Sequence, residues 1–107
     1  MTKKRIRSKN GGEREELGAR FDWIPYRPML WVAKIFKYGG EKYSPWNWKQ
    51  LDFEGDQCPL SHAIGHALEA NEAPVGSEQR IRLLAKVAWN ALAQIWWEDQ
   101  LLEKRRR

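Results

Sequence analysis

Cys58 is the only cysteine in the 107-residue chain. An internal disulfide is therefore impossible, and a thiolate cage around a metal is excluded. Long apolar runs are missing too. Nothing approaches the ~20 residues that a membrane span needs, and no charged-then-apolar leader is evident. Strand-type alternation, internal repeats and low-complexity segments do not appear. GxSxG, CxxC and Ser-His-Asp patterns are equally lacking, so covalent hydrolase chemistry has no support. A chain this short buries only ~60–65 % of its unfolded surface, which allows one domain and no large central cavity. Apolar residues at 42 % and charged residues at 31 % exclude a disordered composition. The expectation is a soluble, cytoplasmic protein that does not enter membranes.

Two quantities are high, the seven tryptophans and the net charge of +5. Residues 1–12 hold Lys3, Lys4, Arg5, Arg7 and Lys9 without an acid, and the chain closes on Lys104, Arg105, Arg106 and Arg107. These ends carry +5 and +4, which leaves the body from Glu13 to Glu103 at −4. The basic character is thus a property of the ends, and a basic face across the body is not implied. Such tails are ordinarily solvated; nucleic acid is the other partner they could serve.

Residues 1–20 are polar and read as a basic, flexible arm, or one lying along the body; 21–103 read as a single helical domain and 104–107 as a basic tail. In "ARFDWIPYRP", Pro25 and Pro28 rule out a continuous helix, so an extended segment packed by Phe21, Trp23 and Tyr26 is expected. The fold class expected is all-α with three main helices. The first spans about 28–38, with Pro28 at its start, Met29, Val32, Ala33 and Phe36 at helical spacing, and Gly39-Gly40 as its stop. A long aromatic-rich loop, 39–58, follows. Pro59 opens a second helix, 59–70, with one apolar stripe of Leu60, Ala63, Ile64, Ala67 and Leu68. His62, Gly65, His66 and Glu69 fall on its other side. After the breaker "NEAPVG", Ser77 caps a third helix, 77–102. That helix is apolar on more sides than one small domain can cover. Leu83, Trp89, Trp96, Trp97 and Leu101 therefore point to a homodimer through it.

The loop "GGEKYSPWNWK" gathers Lys42 and Lys49 as cations, Tyr43 and Asn47 as hydrogen-bonding groups, and Trp46 and Trp48 as flat faces. Phosphate needs cations and a base needs a flat apolar face with a few polar edges, so this loop can serve a ligand. Equally, its tryptophans can plug the bundle while its lysines stay solvated. His62 and His66 have the i, i+4 spacing of a one-face metal pair but lack a glutamate after the first histidine. Solvated histidines, or a phosphate or catalytic contact, are the other uses of that pair. Carboxylates for Mg²⁺ would come from Glu69, Glu72 and Glu78, with Glu41 in addition.

From Ser8 to Trp97 the sequence resembles the phage and bacterial dATP/dGTP diphosphohydrolase family. The segments that carry the resemblance are "ARFDWIP", "GGEKYSPWNW", "IGHALEA", the connector "NEAPVGSEQ" and "LLAKVAWNALAQ". The resemblance implies an all-α phosphohydrolase that uses Mg²⁺ to remove pyrophosphate from purine deoxynucleoside triphosphates. It also implies residence in the host cell cytoplasm if the protein is phage-encoded. Residue by residue it implies substrate contacts at Lys42, Tyr43, Asn47 and Trp48, catalytic roles for His66 and Glu78, and metal ligation by Glu72 and Glu78. Several family positions differ here. The connector has neither of the family's aspartates, Gly65 replaces the arginine before the histidine, and Leu83 and Asn90 stand where the family has histidines. Each difference removes a group able to hold metal or phosphate. The first expectation is therefore a hydrolase-like nucleotide-binding protein with its catalysis eroded. The alternatives are a non-catalytic nucleotide-sequestering or host-protein-docking protein, and a nucleic-acid accessory acting through the basic tails.

Overall fold

Each helix starts at a residue that either lacks an N–H or replaces a missing partner for one. The structure is a computed structural model that describes residues 4–107, so Lys3 of the basic run lies outside the described residues. Helix α1, Tyr26–Lys42, starts after Pro25 in an extended conformation, two residues before the expected start at Pro28. Helix α2, Pro59–Glu72, has Pro59 in its first turn. Helix α3, Glu78–Arg106, is capped by Ser77, whose Oγ accepts the Arg80 N–H at 3.2 Å. It runs past the expected end at 102 and so places Lys104, Arg105 and Arg106 in its last turn. Cations there complement the unpaired carbonyls of the helix end.

The expected stop at Gly39-Gly40 does not occur, and α1 passes through both glycines. Neither glycine has a positive φ; Gly11, Gly55 and Gly76 do. Gly40 serves close approach instead, because a Cβ there would lie 3.2 Å from Pro45 Cα. The loop is correspondingly shorter and contains a 3₁₀ turn over Asn47–Gln50.

Helices α2 and α3 form an antiparallel pair. At one end the Leu60 N–H reaches Gln94 Oε1 at 3.4 Å, and at the other Arg80 Nη1 donates to the Ala73 carbonyl at 3.0 Å. The face of α2 turned to α3 carries Pro59, Ala63 and Ala70, all buried. Small side chains let the helices approach closely, and Ala93 on α3 is fully buried between them. Of the apolar stripe of α2 only Ala63 is buried in this contact; Leu60, Ile64 and Leu68 are 51 %, 56 % and 67 % exposed. The periodicity identified an apolar face, but within one chain nothing covers it.

Helix α1 crosses α3 through Val32 and Phe36, and it makes no contact with α2. An aromatic cluster closes one end of the assembly. Phe36 meets Trp48 and Trp89 edge-on at 5.9 and 5.8 Å, Trp48 meets Trp96 at 5.1 Å, and buried Phe53 stacks on Trp97 at 5.6 Å. Trp89, Trp96 and Trp97, expected to bind a second copy, are thus half-buried within the chain, and Leu83 is buried.

The arm is a hairpin. Strand β1, Arg5–Arg7, pairs antiparallel with β2, Glu13–Glu15, so that Arg5 faces Glu15 and Arg7 faces Glu13. Sequence alternation missed it because both strands are exposed on both faces. Among the described residues the hairpin touches no helix. The following segment is a 3₁₀ turn, Phe21–Trp23, held by two bonds from Arg20 to Asp22 at 2.9 and 2.7 Å. Its aromatics do not pack as expected, for Phe21 is 83 % and Trp23 74 % exposed. The projecting arm raises the radius of gyration to 18.1 Å, against ~13 Å for a compact chain of this length.

Gln94 is buried, and its Nε2 donates to the Phe53 carbonyl at 3.1 Å and to Glu98 at 3.0 Å. Gln94→Ala strands that carbonyl and the start of α2, so urea denaturation should show a loss of about 2 kcal/mol. Gln100→Ala, on the exposed side of α3, should stay within ~0.5 kcal/mol.

Candidate functional site

Trp31, Lys34, Tyr38 and Lys42 recur at intervals of three, four and four, which places them on one flank of α1. Glu78, Arg82 and Lys86 recur every four residues along α3. Because α1 and α2 rest on α3 without touching, the first flank overhangs the second. The result is a cleft of about 470 Å³ lined by Trp31, Lys34, Ile35, Tyr38, Glu78, Arg82 and Lys86. Three cations thus face one carboxylate. Arg82 Nη2 already holds Glu78 Oε1 at 2.9 Å, and Lys34 Nζ lies 5.0 Å from the Trp31 ring centre. Among the described residues neither Lys34 nor Lys86 is paired with a carboxylate.

A second, smaller cavity of about 100 Å³ follows along the same α1–α3 seam. Phe36, Gly39, Gly40, Tyr43, Ser44, Asn47, Trp48, Leu51 and Trp89 line it. Three of the expected substrate residues, Tyr43, Asn47 and Trp48, therefore do come together. Trp48 also belongs to the aromatic cluster, with Phe36 and Trp96 against its ring and Lys49 Nζ 5.7 Å from its centre. Plugging the bundle is thus part of its work. Lys42 does not line either cavity, but it lies on the flank of Tyr38, one turn on. The Tyr43 phenol beside it, with Nζ 5.3 Å from the ring centre, pushes the Lys42 ammonium up from its ordinary value, and Tyr38 adds to this.

His66 sits elsewhere than expected. Its spacing of three and four from Ala63 and Ala70 turns it toward α3, and its side chain is only 24 % exposed. Nδ1 lies 3.3 Å from Glu69 Oε1, yet it is buried without a hydrogen bond. His62 is exposed, with its ring centre 6.4 Å from that of His66. Glu72 is exposed at the end of α2 and outside the lining of the cleft that holds Glu78.

The cleft is a poor seat for magnesium, the ion the resemblance implies. Among the described residues no three His, Cys, Asp or Glu side chains converge. The one carboxylate in the cleft is neutralised by Arg82, and two further lysines repel a divalent cation. Lys34, Tyr38, Arg82 and Lys86 escaped the sequence reading. Their signal was present in the four-residue steps of α3 and the matching flank of α1, but it requires knowing that the two faces meet.

Residues 8–107 match the model of a family described as dATP/dGTP diphosphohydrolase, N-terminal. No curated protein and no solved structure matches the chain.

Because Trp48 is wedged between Phe36 and Trp96, Trp48→Ala should cost about 3 kcal/mol of stability by chemical denaturation. Tyr43 is 64 % exposed, so Tyr43→Ala should unfold within ~0.5 kcal/mol of the parent and serve as the clean probe of the cavity.

Proposed function

Given that the chain belongs to the dATP/dGTP diphosphohydrolase N-terminal family over residues 8–107, we propose that it binds a purine deoxynucleoside triphosphate along the α1–α3 seam and does not turn it over rapidly. One observation supports this reading: α1 borders both a small apolar cavity with an amide and a phenol and a separate, larger cleft with three cations. A base suits the first, through the Asn47 amide, the Tyr43 ring and the free edge of Trp48. Phosphates suit the second. His66 and Glu78, the groups implied for hydrolysis, sit on different helices. His66 is turned to α3 and Glu78 is occupied by Arg82. Turnover needs a group that stabilises the departing pyrophosphate in the transition state and a positioned water. The missing aspartates of the connector argue in the same direction. Sequestration of the nucleotide, rather than its destruction, is the activity that this arrangement supports.

The reading includes a second copy of the chain. Five aliphatic side chains, Leu60, Ile64 and Leu68 on α2 and Ile95 and Leu102 on α3, are each at least 42 % exposed. None of these five lines the recesses that α1 makes with α3. At roughly 80–100 Å² each they leave on the order of 500 Å² of apolar surface, the upper range for a monomer. With a polar rim, that approaches the ~800 Å² per partner of a stable interface. Two such faces together make a four-helix core.

Incubation with each deoxynucleoside triphosphate and Mg²⁺ or Mn²⁺, followed by chromatography, should show little monophosphate, while tryptophan fluorescence reports saturable binding. Tyr43→Ala should weaken that binding. Rapid pyrophosphate release that Glu78→Gln abolishes would establish the enzyme instead.

Light scattering at micromolar concentration should give twice the chain mass, and Ile64→Glu should return the protein to a monomer. A monomeric parent protein would remove the second copy from the proposal.

A further inference from the structure

We infer that the α1–α3 cleft holds the polyphosphate of a nucleotide through Lys34, Arg82 and Lys86 alone, without a divalent metal; this rests on the nucleotide reading above and specifies how the phosphates are held. A triphosphate is neutralised by a metal ion that carboxylates anchor, by side-chain cations, or by both together. The cleft has the second equipment. Three cations face a single carboxylate, and that carboxylate is already committed to Arg82 at 2.9 Å. Lys34 and Lys86 have no carboxylate partner among the described residues. The same excess of positive charge that draws in a polyphosphate disfavours Mg²⁺, and the cleft has no unpaired carboxylate to anchor the ion.

The geometry supports a built recess rather than a solvated stripe. Lys86 is half-buried where α1 crosses over α3, and its backbone carbonyl accepts the Asn90 amide at 2.9 Å, which holds this turn of the helix in place. Lys34 lies along the Trp31 ring, which limits the directions its ammonium can take. Tyr38 adds a phenol on the same wall. Arg82 can present its guanidinium to a phosphate edge with two donors while Glu78 holds a third. The four-residue step between Arg82 and Lys86 sets these cations about one helical turn, ~5–6 Å, apart. Neighbouring phosphates of a triphosphate chain can therefore each meet a cation. A free metal–nucleotide complex has part of this charge cancelled in advance, so it should bind more weakly than the bare nucleotide.

Isothermal titration of the full chain, in EDTA and then in excess Mg²⁺, tests this with dGTP and with inorganic tripolyphosphate. The expected result is binding of both ligands in EDTA, with affinity falling steeply as salt rises and falling again when Mg²⁺ is added. Lys34→Ala and Lys86→Ala should each weaken both ligands by about tenfold. Lys104→Ala, which removes the same charge from the far end of α3, should leave both within a factor of two. Circular dichroism of each variant separates lost binding from lost folding. Binding of dGTP that requires Mg²⁺, or that survives both lysine substitutions, would overturn the inference and leave the nucleotide reading standing. Tripolyphosphate binding in EDTA without any dGTP binding would support the cationic cleft and overturn the nucleotide reading. Failure of both ligands in either buffer would overturn both.

Discussion

The side-chain amide of Gln94 ties three separate stretches of chain at one buried point. Its Oε1 accepts from the N–H of Leu60 at the start of α2, and its Nε2 donates to the carbonyl of Phe53 in the loop and to Glu98 one turn on. A buried amide is costly unless its groups are used, so the position admits few alternatives. Fixing Phe53 fixes its stack on Trp97, and Trp96 is brought against Trp48 in consequence. Trp48 then seats Phe36, and through it the second half of α1. The seam where α1 crosses α3 inherits its geometry from this chain of contacts, although Gln94 is far from the cleft itself.

The sequence announced its helices through residues with one local use. Pro59 and Ser77 mark starts that depend only on the backbone groups beside them, and both hold. Where two uses compete, tertiary contact decides. Gly39-Gly40 can end a helix or let another segment approach it, and Pro45 makes it the latter. Leu60, Ile64 and Leu68 had the right period for a core, yet the alanines one step round the helix pack more closely on α3. Periodicity shows that a face is apolar without showing what lies against it. The hairpin escaped because its strands bury neither face, so no alternation was ever required of them.

The candidate site shows the same division. Tyr43, Asn47 and Trp48 are near in sequence and meet in one cavity, whereas Glu72, Glu78 and His66 are distributed over α2 and α3, and of these only Glu78 lines the cleft. The cations of the cleft come from two helices whose crossing no spacing rule specifies.

An antiparallel pair of two short strands, touching no helix, has only its own ladder and cross-strand charges to hold it. Such a ribbon is marginal in water by itself. Its opening is therefore uncoupled from the cooperative unfolding of the helices. Amide protons on Arg5–Arg7 and Glu13–Glu15 exchange on their own clock, and a substitution that stabilises the bundle leaves that clock unchanged.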